Sequence, residues 1–225
     1  MEIPLFPLPN LVLFPNVVLP LHIFEDRYKQ MINSCIDSVE AFGLIQLREG
    51  AQEETEQTIH RVGTTARIVE VERLDGGRMN ILCHGVSRFR VLRFIESEPF
   101  WKGKVEIFEV DPGDDECLGP LADEVAALYR KAFDLGVQLN AVSAADLQLP
   151  GAPIELSFMV SYVLDIPPDQ KQKLLELKST EKRLRELVTH VDDAVRKLEQ
   201  QIVYRRLQQK VRGNGDLGKP GSTGH

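Results

Sequence analysis

The spacing of apolar residues changes near Asp111, and this change constrains the fold more than any other feature of the sequence. Before it, apolar and polar residues alternate, most clearly over residues 63–74. Alternation is typical of half-buried strands, whereas steps of three and four are typical of amphipathic helices. After it, apolar residues step by three and four over residues 118–135. The sequence therefore predicts an α+β protein with a strand-rich first half and a helical second half.

Several short apolar segments predict further strands around residues 63–74. The turn at residues 75–77 is Asp-Gly-Gly, which tolerates positive φ and favours a hairpin. Helical spacing of apolar residues predicts one helix over residues 26–39. The other predicted strands cover residues 17–24, 42–47, 79–82, 88–95 and 100–110. Many short strands joined by Gly and Pro turns favour a barrel or a sandwich.

Proline and serine mark the starts of the predicted helices. Pro153 and Pro168 can occupy first turns, where the missing N–H is not needed. Ser179 can cap a long final helix. That helix carries an apolar seam with heptad spacing, formed by Leu184, Val188, Val191, Val195, Leu198 and Ile202. We expect the seam to pack on other helices of the same chain, although its spacing leaves both a monomer and a dimer open.

These patterns predict three regions. Residues 1–112 form a barrel domain, residues 113–212 a helical bundle and residues 213–225 a flexible glycine-rich tail. An acidic linker at residues 111–116 joins the first two regions. The tail contains a match to most of a P-loop, but Pro220 stands where a P-loop needs serine or threonine to hold Mg²⁺. We interpret this match as accidental.

Motifs that would carry catalysis or bind a metal are not found in the sequence. Cys83 and His84 are adjacent, and neighbours in a strand point to opposite faces, so they cannot chelate one ion together. There is no G-x-S-x-G elbow and no C-x-x-C pair. His22 lies in an apolar run, so we expect a packed or hydrogen-bonded core histidine. The sequence predicts a protein that is not an enzyme, with no catalytic, cofactor-binding or metal-binding residues.

Charge and cysteine content indicate the expected cellular compartment and the classes of partner that are disfavoured. The formal net charge is -7 and the pI about 5.3, which disfavours nucleic acid as a partner. Basic residues are concentrated over residues 196–212, where a helix C-terminus favours them in any case. The three cysteines are far apart and odd in number, which favours free thiols in the cytoplasm. We expect neither a secretory leader nor a membrane-spanning segment.

The most distinctive segment is apolar and rich in proline. Residues 3–24 contain five prolines: Pro4, Pro7, Pro9, Pro15 and Pro20. Because proline cannot donate to a sheet ladder, strands in this segment should lie at edges or be interrupted. An interrupted edge strand can leave apolar side chains beside a groove that recognises extended polypeptide. For most of these side chains we favour the alternative, that they fill the barrel core.

Ordered motifs along most of the chain resemble one family. They include I-P-L-F-P-L-P at residues 3–9, L-P-L-H-I-F-E at 19–25 and G-T-T-A-R-I-V at 63–69. Two more are D-G-G-R-M-N-I-L at 75–82 and G-V-S-R-F-R-V at 85–91. The chain is similar to the substrate-binding domain of Lon proteases over roughly residues 1–205. The resemblance implies a PUA-like β-barrel with one helix, followed by a helical bundle that ends in a long helix.

The same resemblance implies a function. In full-length Lon proteases this region precedes the ATPase and protease domains and helps to capture substrates, and the present sequence ends where the ATPase would begin. We therefore expect a non-catalytic polypeptide-binding module, for substrate recognition or as an adaptor; an RNA-binding PUA-like protein is the alternative. The expected partner is an unfolded or a specific partner protein, possibly including a separate protease. The expected polypeptide-binding residues, with the last at the rim, are Phe6, Phe14, Leu19, Phe24, Tyr28 and Arg88.

Overall fold

The computed structural model describes residues 1–214, apart from residues 49, 52, 110, 112–114 and 140–146. The strands are β1 (Glu2–Leu8), β2 (Val18–Ile23), β3 (Phe42–Leu47), β4 (Ile59–Arg73), β5 (Met79–Glu96) and β6 (Lys102–Ile107). The helices are α1 (Asp26–Ser38), α2 (Asp115–Gln138), α3 (Pro153–Val163), α4 (Pro168–Glu176) and α5 (Thr180–Asn214). The predicted α+β class, with one helix among the strands, is confirmed.

The long strand β5 closes the sheet into a barrel. One side of β5 pairs with β4, and the other side pairs first with β2 and then with β6. From β4 the sheet continues through β3 and β1 to β6, which returns to β5. The ring therefore contains β1, β3, β4, β5 and β6. Strand β2 lies outside this ring, at the edge of the extension that β4 and β5 form together.

Strand β5 is continuous, so the prediction of separate strands at residues 79–82 and 88–95 was wrong. Gly85 lies between those two predicted strands, and the structure shows that this glycine allows close packing within a continuous strand. A Cβ atom at this position would lie 2.3 Å from the carbonyl oxygen of Phe14. The Gly85 carbonyl accepts from the Asn16 N–H at 2.9 Å, and its N–H donates to the Val17 carbonyl at 2.8 Å. Only glycine admits the backbone of the preceding loop this closely.

Strand β1 is inside the sheet, which corrects the expectation that proline-containing strands in this segment are edges or interrupted. It pairs with β6 over Glu2 to Pro4 and with β3 from Leu5 onwards. The Leu5 N–H donates to the Trp101 carbonyl at 2.7 Å, so by alternation the Pro7 nitrogen points to the same side, past the end of the β6 pairing. The Pro4 nitrogen points towards β3, where pairing has not yet begun. Pro4 and Pro7 therefore lack their N–H groups only on sides where no neighbouring strand would accept a hydrogen bond.

The helices complete the core. The seam of α5 is buried at Leu184, Val191 and Val195, and α5 packs mainly on α2 and also on α3. The predicted packing of this seam within the chain is confirmed. Ser179 accepts a hydrogen bond from the Lys182 N–H at 3.2 Å, as expected of a helix cap. One apolar cluster includes residues of both the barrel and the helices.

The division into a barrel at residues 1–112 and a bundle at 113–212 remains a prediction, since the two parts share that cluster. Helix α2 begins at Asp115, within the predicted acidic linker, and α5 continues to Asn214, two residues into the predicted tail. Residues 112–114 of the linker and 215–225 of the tail lie outside the described residues. So does most of the P-loop-like sequence around Pro220.

Candidate polypeptide-binding site

The outer side of β2 is a free sheet edge. Because the Gly85 N–H bonds the Val17 carbonyl, alternation turns the backbone groups of Leu19, Leu21 and Ile23 towards β5. The backbone groups of Val18, Pro20 and His22 then point away from β5. Within the described part of the chain, no strand pairs with this side of β2. We call the outer side of residues 18–23 the β2 edge.

Pro20 occupies a position that proline accepts in a sheet, on an edge strand with its nitrogen facing away from the neighbouring strand. Its ring nitrogen points outwards, so no ladder hydrogen bond to β5 is lost. The missing N–H also interrupts the row of donors on the β2 edge, which is a common device against uncontrolled edge-to-edge pairing. The β2 edge therefore offers the carbonyls of Val18, Pro20 and His22 but only two N–H donors.

The side chains of β2 alternate between core and solvent. Leu19 and Ile23 are buried in the large apolar cluster, whereas Val18 and His22 are exposed. The strand ends beside Phe24, which is 60% exposed. A large aromatic ring in this state, directly after an unpaired edge, is an apolar contact available to another molecule.

A cleft adjoins the other end of β2. Its volume is about 440 Å³, and it lies between the loop before β2 and the segment that leads into α3. Asn16 turns the loop with φ of 62°. The lining is largely apolar, with Pro15, Val17, Leu149, Pro150 and Met159, and includes the polar residues Asn16, Gln148 and Glu155. The cleft, the β2 edge and Phe24 therefore follow one another along the chain.

Of the six predicted binding residues, five are buried and one is exposed. Phe24 lies at the surface, and the buried ones, all at most 5% exposed, are Phe6, Phe14, Leu19, Tyr28 and Arg88. The structure brings Phe6 and Tyr28 together, with ring centroids 4.0 Å apart, but inside the core. The Tyr28 hydroxyl donates to Glu54 at 3.0 Å, and burial raises the pKa of Tyr28. A binding role for these five residues remains a prediction, and this conformation does not offer them to a partner.

Arg88 is buried in the junction between barrel and helices and not at a rim. Its guanidinium donates to two carbonyls at the end of α4, those of Leu175 and Leu177, both at 2.6 Å. Arg183 also donates to the Leu177 carbonyl, at 2.9 Å. Burial lowers the pKa of Arg88 to about 10, and burial together with the charge of Arg88 lowers that of Arg183 to about 9. Arg88 therefore fastens the end of α4 to the barrel, and Arg183 joins α5 to the same Leu177 carbonyl and to Ser157 of α3.

Both arginines also border the ring of Phe158. The guanidinium carbon lies 5.4 Å from the ring centroid for Arg88 and 4.2 Å for Arg183. Phe158 in turn lies 6.2 Å from the ring of Phe14, which precedes the cleft. Cation–π contacts of this kind stabilise cations that have left water. The junction therefore contacts two aromatic residues, Phe14 and Phe158, that are next in sequence to the cleft residues Pro15 and Met159.

His22 is exposed, which differs from the core position that its apolar surroundings predicted. Its Nδ1 lies 2.7 Å from Oδ1 of Asn80, and its ring stacks on Phe24 with centroids 5.9 Å apart. The prediction missed this because it considered the composition of the segment and not its alternation. His22 is two and four residues from Pro20 and Val18, and period two places all three on one face.

Chemistry at the two described cysteines is suppressed. Cys35 and Cys83 are free and buried, and burial raises their pKa to about 11 and about 12. Protonated thiols are poor nucleophiles and poor metal ligands. Across the described residues, no group of three or more His, Cys, Asp and Glu side chains could hold a metal ion. None of the described helices is long and apolar enough to span a membrane.

The comparisons with known proteins agree on one family. The family model described as "ATP-dependent protease La (LON) substrate-binding domain" matches residues 2–193. A Lon protease of Syntrophus aciditrophicus is 27% identical over 88% of this chain, and one of Paraburkholderia phytofirmans is 28% identical over 94%. In both cases the match spans 26% of the relative, so this chain corresponds to about a quarter of those proteins.

Two solved structures have the same fold. A Lon N-terminal domain protein from Xanthomonas campestris superposes with a TM-score of 0.62, with 23% identity, over 84% of this chain and 98% of that one. The N-terminal domain of a Mycobacterium avium complex Lon protease superposes with a TM-score of 0.60, with 20% identity, over 86% and 99%. The family model covers most of the chain, and the barrel followed by helices agrees with these structures. The chain therefore belongs to the Lon substrate-binding domain family.

Proposed function

We propose that this protein is a non-catalytic module that binds extended polypeptide along the β2 edge. The observation that carries the proposal is the arrangement of three adjacent features: an apolar cleft, an unpaired strand edge and an exposed aromatic ring. The family to which the chain belongs is named for substrate binding, which agrees with this use of the surface.

Physical chemistry supports each part of the surface. An extended chain can add to an exposed sheet edge through backbone hydrogen bonds, which require no particular sequence. Side chains of the added strand would supply selectivity by entering the cleft or contacting Phe24. Aromatic residues at such positions often contribute much of the binding energy, since they bury large apolar areas. A sequence-tolerant edge with apolar contacts at both ends suits unfolded substrates.

The role that we propose is recognition or delivery, without chemistry on the bound chain. A separate protease is the class of partner that the relatives suggest, since those relatives are Lon proteases. The elevated pKa values of Cys35 and Cys83 agree with a non-catalytic role.

RNA binding is less well supported than polypeptide binding. The net charge is -7, and two basic groups in the C-terminal part of α5 have protein partners. Arg196 pairs with Asp192, and Arg205 donates to the Leu139 carbonyl at 3.0 Å. RNA affinity that depends on phosphates would fall steeply as salt is raised, whereas apolar contacts are much less sensitive.

The test is a titration of a labelled, permanently unfolded protein, followed by fluorescence anisotropy at low and at high salt. We expect saturable binding that persists at high salt. Phe24→Ala should weaken it by about 5-fold to 30-fold, the range for loss of a moderate hot spot of about 1–2 kcal/mol. Leu92→Ala is the control, because Leu92 is 49% exposed on β5, away from the β2 edge. Equal binding by wild type and Phe24→Ala would contradict the proposed site.

A further inference from the structure

We infer that Glu72, Asn80 and His22 form a positioning relay that holds Phe24 in place for polypeptide binding. The inference rests on the proposed function, and it assigns a role to three polar residues that binding alone does not require. They form one row across three strands: His22 on β2 is the register partner of Asn80 on β5, which is the register partner of Glu72 on β4.

The relay begins with Glu72, which determines the orientation of the Asn80 amide. The Asn80 Nδ2 donates to Oε2 of Glu72 at 2.7 Å. An ionised carboxylate only accepts hydrogen bonds, so the NH₂ group and not the carbonyl of Asn80 must face it. The Oδ1 of Asn80 is thereby turned towards β2.

The orientation of Asn80 then determines the tautomer of His22. Its Nδ1 lies 2.7 Å from Oδ1 of Asn80, and an amide oxygen cannot donate. The proton between them must therefore belong to Nδ1, so that neutral His22 carries hydrogen at Nδ1 and leaves Nε2 as the acceptor. Fixing one ring nitrogen in this way also fixes the plane of the imidazole.

The oriented imidazole stacks on Phe24 and thereby limits the orientation of that ring. The two rings are nearly parallel, with an interplanar angle of 22° and centroids 5.9 Å apart. Phe24 follows the end of β2 and is 60% exposed, so few other contacts limit its rotamers. A side chain that is already ordered loses less entropy when a partner binds. The relay thus prepares the aromatic contact at the end of the β2 edge.

The first measurement is independent of binding. The ¹⁵N chemical shifts of the His22 ring, recorded with neutral imidazole, report which nitrogen carries the proton. We expect the Nδ1–H tautomer in the wild type and a shift towards Nε2–H in Asn80→Ala. The double variant Glu72→Gln/Asn80→Asp should retain Nδ1–H, because the glutamine can donate to the aspartate and the aspartate can accept from His22. A wild-type ring with the proton on Nε2 would overturn the relay.

The second measurement is a double-mutant cycle with the unfolded-protein probe. Asn80→Ala should weaken binding by about 3-fold to 10-fold, in line with the ordering of one side chain, and should have no further effect when Phe24 is already alanine. Asn33→Ala is the control, since it removes another exposed hydrogen bond, from Arg73 at 3.0 Å, without affecting the relay.

The outcomes separate the relay from the proposed function. If Phe24→Ala weakens binding but Asn80→Ala weakens it equally in both backgrounds, the relay is wrong and the site stands. If Phe24→Ala has no effect on binding, the site itself is wrong and the inference falls with it. Retained affinity in Glu72→Gln/Asn80→Asp, together with loss in Asn80→Ala, would support the relay.

Discussion

Strands β1 and β2 come from the same proline-rich segment. Strand β1 is paired on both sides within the barrel wall, whereas β2 lies at a free edge. In β1, Pro4 and Pro7 fall where the strand changes neighbours, so each missing N–H faces a side without a partner. In β2, Pro20 faces away from the only neighbour that the strand has in the described part of the chain. The comparison teaches that proline excludes a hydrogen bond on one side and does not by itself make a strand an edge.

The two strands also differ in where their side chains lie. The apolar side chains of β1 fill the barrel and the main core, as at Leu5 and Phe6, which are at most 5% exposed. Strand β2 buries one face but presents Val18, His22 and the adjacent Phe24 to solvent. Substitutions in β1 should therefore change stability, and substitutions on the β2 edge should change interactions.

The largest expected effect on the free energy of unfolding comes from a substitution in β1. Phe6→Ala removes a ring that contacts Tyr28 and Phe42 in the core, and we expect it to lower the free energy of unfolding by about 3–5 kcal/mol. Phe24→Ala, on the exposed side, should change it by no more than about 0.5 kcal/mol. Chemical denaturation monitored by circular dichroism measures both. Similar losses in the two variants would break the distinction between the strands.

The next effect tests how the loop before β2 is attached. In Gly85→Ala the new methyl group would meet the Phe14 carbonyl oxygen at 2.3 Å, so either β5 or the loop must move. We expect a loss of about 1–3 kcal/mol, as for overpacked sites. Gly119→Ala in α2 is the control: the added atom has open space around it, but Pro120 follows and disfavours helical backbone at a non-glycine residue, which offsets the helix propensity of alanine. Denaturation should therefore show a larger loss of stability in Gly85→Ala than in Gly119→Ala.

A smaller effect is expected when the β2 edge recovers its missing donor. Pro20→Val restores an outward N–H and should strengthen edge pairing by about 0.5–1.5 kcal/mol, the net contribution of one hydrogen bond. Concentration-dependent self-association in sedimentation velocity, or tighter binding of the unfolded probe, would reveal it. Pro168→Ala, at the start of α4, removes a proline away from any strand and should leave both measurements unchanged. No change in Pro20→Val would mean that another segment covers this edge.

The smallest expected effect is a change in folding stability with pH, and it does not involve the β2 edge. The pKa of Glu176 on α4 lies below its ordinary value because of hydrogen bonds from His60 and Gln172, the former contact being 3.4 Å long. As pH falls through the ordinary carboxyl range, the unfolded chain takes up this proton before the folded chain does, so folded stability decreases. Glu176→Gln should lose less stability over the same range. Denaturation at several pH values measures this, and an identical pH dependence in both proteins would contradict it.

Local patterns predicted much of the fold. A short apolar run located β3 with its observed bounds, alternation located β4 to within a few residues, and helical spacing located α1 and the buried seam of α5. Strand β4 and the two helices follow from the burial of one face, which the order of apolar and polar residues records directly, whereas β3 is buried on both faces and shows only as an apolar run. The family resemblance, carried by motifs such as residues 19–25 and 75–82, added the barrel and the sequence of elements that the comparisons confirm.

The candidate site was predicted only in its location along the chain. Residues 3–24 do contain β2 and one wall of the cleft, but five of the six chosen side chains are buried. Composition cannot tell an apolar residue that faces the core from one that faces solvent. Leu149 and Met159, which line the cleft, and Asn80, which contacts His22, come from segments distant in sequence. No local pattern connects them.

The sequence by itself determined where most of the strands and helices lie, because those preferences are local and the patterning repeats over short windows. Only the tertiary structure decided which strand became an edge, since that depends on how β5 divides its length between β2 and β6. It also decided that Arg88 and Arg183 both lie beside Phe158, where they donate to backbone carbonyls and hydroxyl groups. Closing a barrel brings together residues that are distant along the chain, and the free energy of those contacts belongs to the assembled fold rather than to any segment.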